Sequence, residues 1–179
     1  LRVTDQDNLL AYWKFNENLY NPAKDELGNY DGTLVNLVTT GTGKAWTQGK
    51  FDNAISLGTP NGYVHLGGVP LKDEFTISFW VRPTDISSDG AVILSKDNIA
   101  AMKVFRIEQN ATDGFLTVNF HQDGNMSIAK ISSTTPVLSD DEWTHLALVY
   151  SKDANGSLTL YADGNQSNEL TGVAISGID

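Results

Sequence analysis

The stretch Phe75-Thr76-Ile77-Ser78-Phe79-Trp80-Val81-Arg82 places Phe75, Ile77, Phe79 and Val81 on one side and Thr76, Ser78, Trp80 and Arg82 on the other. A side-chain period of two belongs to an extended strand with one face buried and one open to solvent or ligand. The same pattern recurs downstream. Leu116, Val118 and Phe120 alternate with Thr117, Asn119 and His121, and Leu158-Thr159-Leu160-Tyr161-Ala162 behaves likewise.

Turn signals separate these runs. Asp-Gly occurs five times (31–32, 89–90, 113–114, 123–124, 163–164), joined by Asn61-Gly62 and Asn155-Gly156. Asp and Asn tolerate the left-handed backbone and Gly accepts it freely, so such pairs suit tight hairpins. Strands are expected near 9–15, 33–38, 54–57, 63–66, 75–82, 91–95, 103–109, 115–121, 126–131, 143–150 and 158–162. No segment carries a 3.6-residue apolar stripe, and Ser139-Asp140-Asp141-Glu142 offers at most a capped turn before the run from Trp143. Short strands punctuated in this way read as an all-β sandwich or barrel.

Composition narrows the function. The chain has 179 residues, 40% apolar, with 12 basic against 22 acidic side chains and a net charge of −10. The length suits one domain of the larger β kind or two very small ones, with enough chain for a real core, and the lack of a linker or repeat favours one domain over 1–179. The charge argues against a phosphate-tracking nucleic-acid binder and against an anionic membrane surface. The absence of cysteine excludes disulfides, thiolate zinc sites and thiol catalysis. No apolar run reaches the roughly 18 residues of a membrane helix, so membrane insertion is not expected. With neither an initiator Met nor a signal-peptide pattern, Leu1 reads as the start of a trimmed or mature fragment.

The order of motifs resembles the laminin-G-like, concanavalin A-type lectin/glucanase superfamily, and within it the LamG-like jellyroll and pentraxin-like modules. The resemblance is carried by Leu10-Ala11-Tyr12-Trp13-Lys14-Phe15-Asn16-Glu17, Asp25-Glu26-Leu27-Gly28-Asn29-Tyr30-Asp31-Gly32-Thr33-Leu34 and Gly49-Lys50-Phe51-Asp52-Asn53-Ala54-Ile55-Ser56-Leu57. Tyr63-Val64-His65-Leu66, the run from Phe75 to Pro83, Glu142 to Tyr150, and Leu158 to Gly164 continue it in order. It implies a two-sheet antiparallel β-sandwich jellyroll. It also implies two strands after the Asp163-Gly164 hairpin, where only fifteen residues follow. The final strands are therefore expected to be missing, supplied by a second chain, or lost by cleavage, since an unpaired sheet edge is normally avoided.

The chemistry of the residues points away from catalysis. Glycoside hydrolysis needs two carboxylates flanking one bond, roughly 5–10 Å apart. The alternating Glu-x-Asp-x-x-Glu run of laminarinase-like relatives is absent. Glu108 stands alone on its strand, and Asp140-Asp141-Glu142 reads as a solvated acidic turn. No nucleophile elbow is present, and His65, His121 and His145 lack zinc spacing. Of these, His145 reads as structural and His121 as the one placed to meet a ligand.

Two binding expectations remain. By resemblance, the loop from Asp25 to Gly32 forms part of a calcium site, with Asp25 and Asn29 as the matching ligands and Glu17 and Asp31 as further candidates. The competing reading is an Asx-rich turn that hydrogen-bonds itself. Sugar binding draws on planar polar groups and aromatic platforms. Arg82, Arg106, Asn119, His121, Gln122 and Asp123 supply the former, with Asp97 and Asn98 as possible additions, and Trp46 and Tyr63 supply the latter. The expected role is a non-catalytic carbohydrate-binding module of a secreted polysaccharide-active enzyme or a cell-surface protein, stabilised by calcium. The alternative is an extracellular adhesion or spacer domain.

Overall fold

A computed structural model describes residues 8–17, 22–38, 44–58, 61–71, 74–87, 90–98, 103–110, 113–122, 126–152 and 155–175. Among these residues there is no helix, hence none long and apolar enough to cross a membrane. The chain divides into two compact units, Leu1–Val69 and Pro70–Asp179.

The first unit is built from short pieces. Strand β1 (Thr33–Val35) pairs antiparallel with β4 (Tyr63–His65), and β2 (Trp46–Gln48) with β3 (Asn53–Ile55). Isolated bridges join Trp13 to Asp25 and Ala23 to Gly32. The packing over Gly32 is close: a Cβ there would lie 2.7 Å from a Val64 methyl and 2.9 Å from a Leu66 methyl, so these side chains would have to shift. The strand expected over 9–15 is not formed. Its backbone meets the following loop instead: Tyr12 N–H donates to the Asp25 carboxylate, and Tyr12 C=O accepts from Glu26 N–H.

The second unit is an antiparallel sandwich. One sheet has the order β12-β11-β10-β5, built from β5 (Phe75–Val81), β10 (Thr144–Ser151), β11 (Ser157–Ala162) and β12 (Asn165–Thr171). The other runs β6-β7-β8-β9, from β6 (Val92–Asn98), β7 (Lys103–Gln109), β8 (Leu116–Gln122) and β9 (Met126–Ser132). Alternation assigns the faces as expected. In β5 the side chains of Phe75, Ile77, Phe79 and Val81 turn inward, and β10 is buried at every second position from Thr144 to Tyr150. Between the sheets Phe105, Ile107, Leu116, Val118, Phe120, Ile131, Leu146, Leu148, Leu158 and Leu160 form the core. Phe105 and Phe120 lie 4.7 Å apart and Phe75 and Tyr150 5.7 Å apart between ring centroids, in tilted contacts of the favourable kind.

Turn chemistry fixes the register. Asp163 and Gly164 both adopt positive φ (48° and 80°) and close the β11–β12 hairpin, as do Asp113 and Gly114 (67° and 75°) between β7 and β8. The acidic turn at Ser139–Glu142 also carries structure: Asp140 accepts Ile86 N–H, and Asp141 N–H donates to Pro83 C=O.

After β12 the chain returns across the core. Val173 and Ile175 are buried, and the Tyr150 hydroxyl donates to Val173 C=O (3.1 Å) while accepting Ile175 N–H (3.0 Å). This strap crosses directly over Gly156, whose C=O accepts the N–H groups of Gly172 and Val173.

Candidate functional site

The polar face of the β6–β9 sheet follows from the same alternation that buries its other side. Ladder pairing aligns Arg106, Asn119 and Lys130 in one row and Glu108, Thr117 and Ser132 in the next. Because Phe105, Ile107, Leu116, Val118, Phe120, Ala129 and Ile131 point into the core, all six of these residues must face the other way.

Here Glu108 is the organising group, its side chain 24% exposed. One carboxylate oxygen accepts the Asn119 amide at 3.1 Å, and the other lies 3.9 Å from the Arg106 guanidinium. Thr117 and Ser132 hydroxyls bond each other at 2.9 Å. A rim forms where Gly90 and Ala91 exchange backbone bonds with Gln109, whose buried amide donates to Asp85 C=O. Together Gly90, Glu108, Gln109, Asn110, Thr117, Asn119 and Lys130 line a shallow depression of about 120 Å3. A carboxylate has about four acceptor positions, so Glu108 keeps acceptor capacity beyond the Asn119 bond, and Lys130 on the same lining adds a donor. Acceptors and donors at this spacing suit hydroxyl groups.

The ligand residues expected from sequence are partly gathered here. Arg106 and Asn119 are cross-strand partners, and His121 lies on the same face of β8 beyond a register shift. Gln122 ends β8, and Asp123 lies outside the described residues. Arg82 follows β5 of the other sheet, and its guanidinium stands 5.6 Å over the Trp143 ring. Trp46 is not an exposed platform: it is 2% exposed. Tyr63 is 49% exposed, on β4 of that unit. His145 packs its ring 5.2 Å from Trp80 on the outer face of the other sheet, while its backbone N–H donates to Asp163. Glu108 and Lys130 were not among the expected ligands, although Lys130 stands between core-facing Ala129 and Ile131, which is signal enough for an outward position.

The loop expected to hold calcium is organised differently. Asp25 is 4% exposed. Its Oδ1 accepts N–H from Tyr12 (2.8 Å) and Leu27 (3.2 Å), and its Oδ2 accepts N–H from Asn29 (3.0 Å) and Tyr30 (3.1 Å). Burial raises the pKa of this carboxyl, but the four N–H donors together outweigh burial and hold it below the ordinary value. Asp31 accepts the Lys24 ammonium at 2.7 Å and Asp25 N–H at 3.0 Å, and these bonds likewise lower its pKa. Glu17 accepts Lys24 N–H, and its second carboxylate oxygen is buried without a partner. Asn29 contributes its backbone N–H and is exposed.

Calcium requires six to eight oxygens directed at one point. Both Asp25 oxygens point at backbone N–H groups and Asp31 is held by Lys24 and Asp25 N–H, and among the described residues no three acidic or histidine side chains converge on a possible ion position. The Asp25 carboxylate, with two N–H donors on each oxygen, is not directed at a cation.

The concanavalin A-like lectin/glucanases superfamily model matches residues 57–177. A search of the curated proteins finds no match. Among solved structures, an S-layer domain-containing protein from Clostridium thermocellum ATCC 27405 (residues 221–444) is similar at 26% identity and a TM-score of 0.55, over 92% of this chain and 73% of that one. With more than half of its length matched, and with the antiparallel sandwich that the match requires, this chain belongs to the Laminin_G_3 family of the concanavalin A-like lectin/glucanases superfamily.

Proposed function

We propose that this is a non-catalytic carbohydrate-binding module that holds the hydroxyl edge of a neutral sugar on the β6–β9 face. The observation that carries the proposal is the Glu108 carboxylate, fixed by Asn119 and Arg106 beside Lys130 in a polar depression. A carboxylate at the centre of the site, in a chain of net charge −10, disfavours acidic sugars. At about 120 Å3 the depression falls below the usual range of enclosed ligand pockets, so it suits an edge-on contact with a longer saccharide. Membership of a lectin/glucanase superfamily and the likeness to an S-layer domain-containing protein support placement in a secreted or cell-surface protein.

Calorimetry against neutral and acidic polysaccharides tests this reading. Glu108→Gln and Asn119→Ala should each weaken binding of a neutral glycan about 10- to 100-fold, as expected for losing a hydrogen bond to a charged group. Binding that survives both substitutions unchanged would overturn the proposed site. Failure of every glycan would favour an adhesion or spacer domain. One observation supports that second reading: none of the residues lining the depression is aromatic.

A further inference from the structure

The loop over residues 25–31 has the composition of a cation site and the wiring of an anion site. We propose that the Asp25 carboxylate is its permanent central ion, and that the module consequently folds without calcium. Four backbone N–H groups, from Tyr12, Leu27, Asn29 and Tyr30, converge on the two oxygens, two on each. That fills the roughly four acceptor positions of a carboxylate. Each N–H directs its positive end at the place where a bound cation would have to sit, so calcium would have to break these bonds before coordinating.

The surrounding charges reinforce this wiring. Lys24 supplies the positive charge that a metal would otherwise bring, reaching Asp31 at 2.7 Å while its own N–H donates to Glu17. Lys14 pairs with Glu26 at 2.6 Å on the outer side of the loop. Gly28 makes the geometry possible: its φ of +78° turns the chain so that the next two N–H groups reach back to Asp25. The carboxylate therefore links the segment around Tyr12 to the loop, which are thirteen residues apart in sequence.

The test uses the whole chain and needs no sugar, so its outcome is independent of the proposed glycan site. Thermal melting in millimolar calcium should coincide with melting in chelator. A calcium-dependent rise of several degrees, the mass-action signature of a ligand bound only to the folded state, overturns the proposal. In chelator, the amides of Tyr12, Leu27, Asn29 and Tyr30 should be protected from hydrogen exchange, and free exchange at these positions also overturns it. Asp25→Gly leaves a carboxylate-sized gap among the four donors. Sodium formate should raise the melting temperature of this variant above that in sodium chloride of equal ionic strength, with no such difference for the unaltered chain. A folded variant that responds equally to both salts would refute the anion role.

Discussion

Substituting Gly156 by alanine tests whether the C-terminal strap is integral to the sandwich. The position has two requirements that separate cleanly. Its φ of +74° lies in the left-handed region, and a Cβ there would sit 1.9 Å from Val173 O. The first requirement alone costs about 1–2 kcal/mol. Gly164 isolates it, since that residue also has positive φ (+80°) but no atom within 4 Å of a built Cβ. The contact over Gly156 cannot be relieved without moving the strap. Moving it breaks the two hydrogen bonds of the Tyr150 hydroxyl, about 1 kcal/mol each. It also exposes part of Val173 and Ile175, which are worth about 1.5–3 kcal/mol each when fully buried. The excess of Gly156→Ala over Gly164→Ala should therefore be about 3–6 kcal/mol. In a chain of this length that is a further fall in melting temperature of roughly 6–24 °C. Urea unfolding of both variants measures the difference, and Tyr150→Phe supplies a cycle. If Gly156→Ala already displaces the strap, removing the hydroxyl should add little on top of it. Equal destabilisation by the two alanine variants would show that the strap contributes nothing to folding.

Other consequences follow from the core, the acidic loop and the polar face. Phe105→Ala, which empties a fully buried position against Phe120, should cost about 3–5 kcal/mol, and chemical denaturation checks it. Because the Asp25 pKa is lowered from 3.8 by folding, the stability it contributes is complete above the unfolded value. That stability is lost as pH falls from about 4 through the folded value. Melting curves of Asp25→Asn should therefore be flatter than those of the parent chain below about pH 4, and parallel curves would refute the assignment. No hydrolysis of a β-glucan is expected. Turnover that is abolished by Glu108→Gln would convert the binding site into a catalytic one.

Strand positions were legible wherever alternation was strong. The expected 75–82, 103–109, 115–121 and 126–131 correspond to β5, β7, β8 and β9 within a residue at either end. Strand β12 was not foreseen, because Asn165-Gln166-Ser167-Asn168-Glu169 contains no β-former. Its conformation comes from the ladder with β11 and from the hairpin at Asp163-Gly164. The segment 9–15 misled in the opposite direction: its apolar residues suggest a strand, but its backbone partners belong to the Asp25 loop. At the candidate site, Arg106 and Asn119 could be read as outward residues. Their adjacency, which depends on register, could not. Glu108 stands alone among carboxylates on its own strand, and its partner is an amide across the ladder on β8, which sequence spacing does not reveal. The Asp25 loop was ambiguous for a physical reason. Carboxylates, amides and glycine serve equally well to bind a cation or to gather N–H donors, and only the direction of the backbone N–H groups distinguishes the two.

The polarity of β12 has a consequence for how such modules coexist. It is an outer strand of its sheet, the position from which one protein molecule can zip onto another. The strand offers little for such fusion. Its outward residues are amides, hydroxyls and a carboxylate. Two bonds also tie it to the end of β9 and the segment after it: the Asn168 amide donates to Ser132 C=O, and Thr134 Oγ1 donates to Ser167 C=O. An edge tied down in this way is a poorer template for a strand of another copy. Replacing Gln166 and Asn168 with valine would remove that safeguard, and concentration-dependent aggregation measured by light scattering would report its loss.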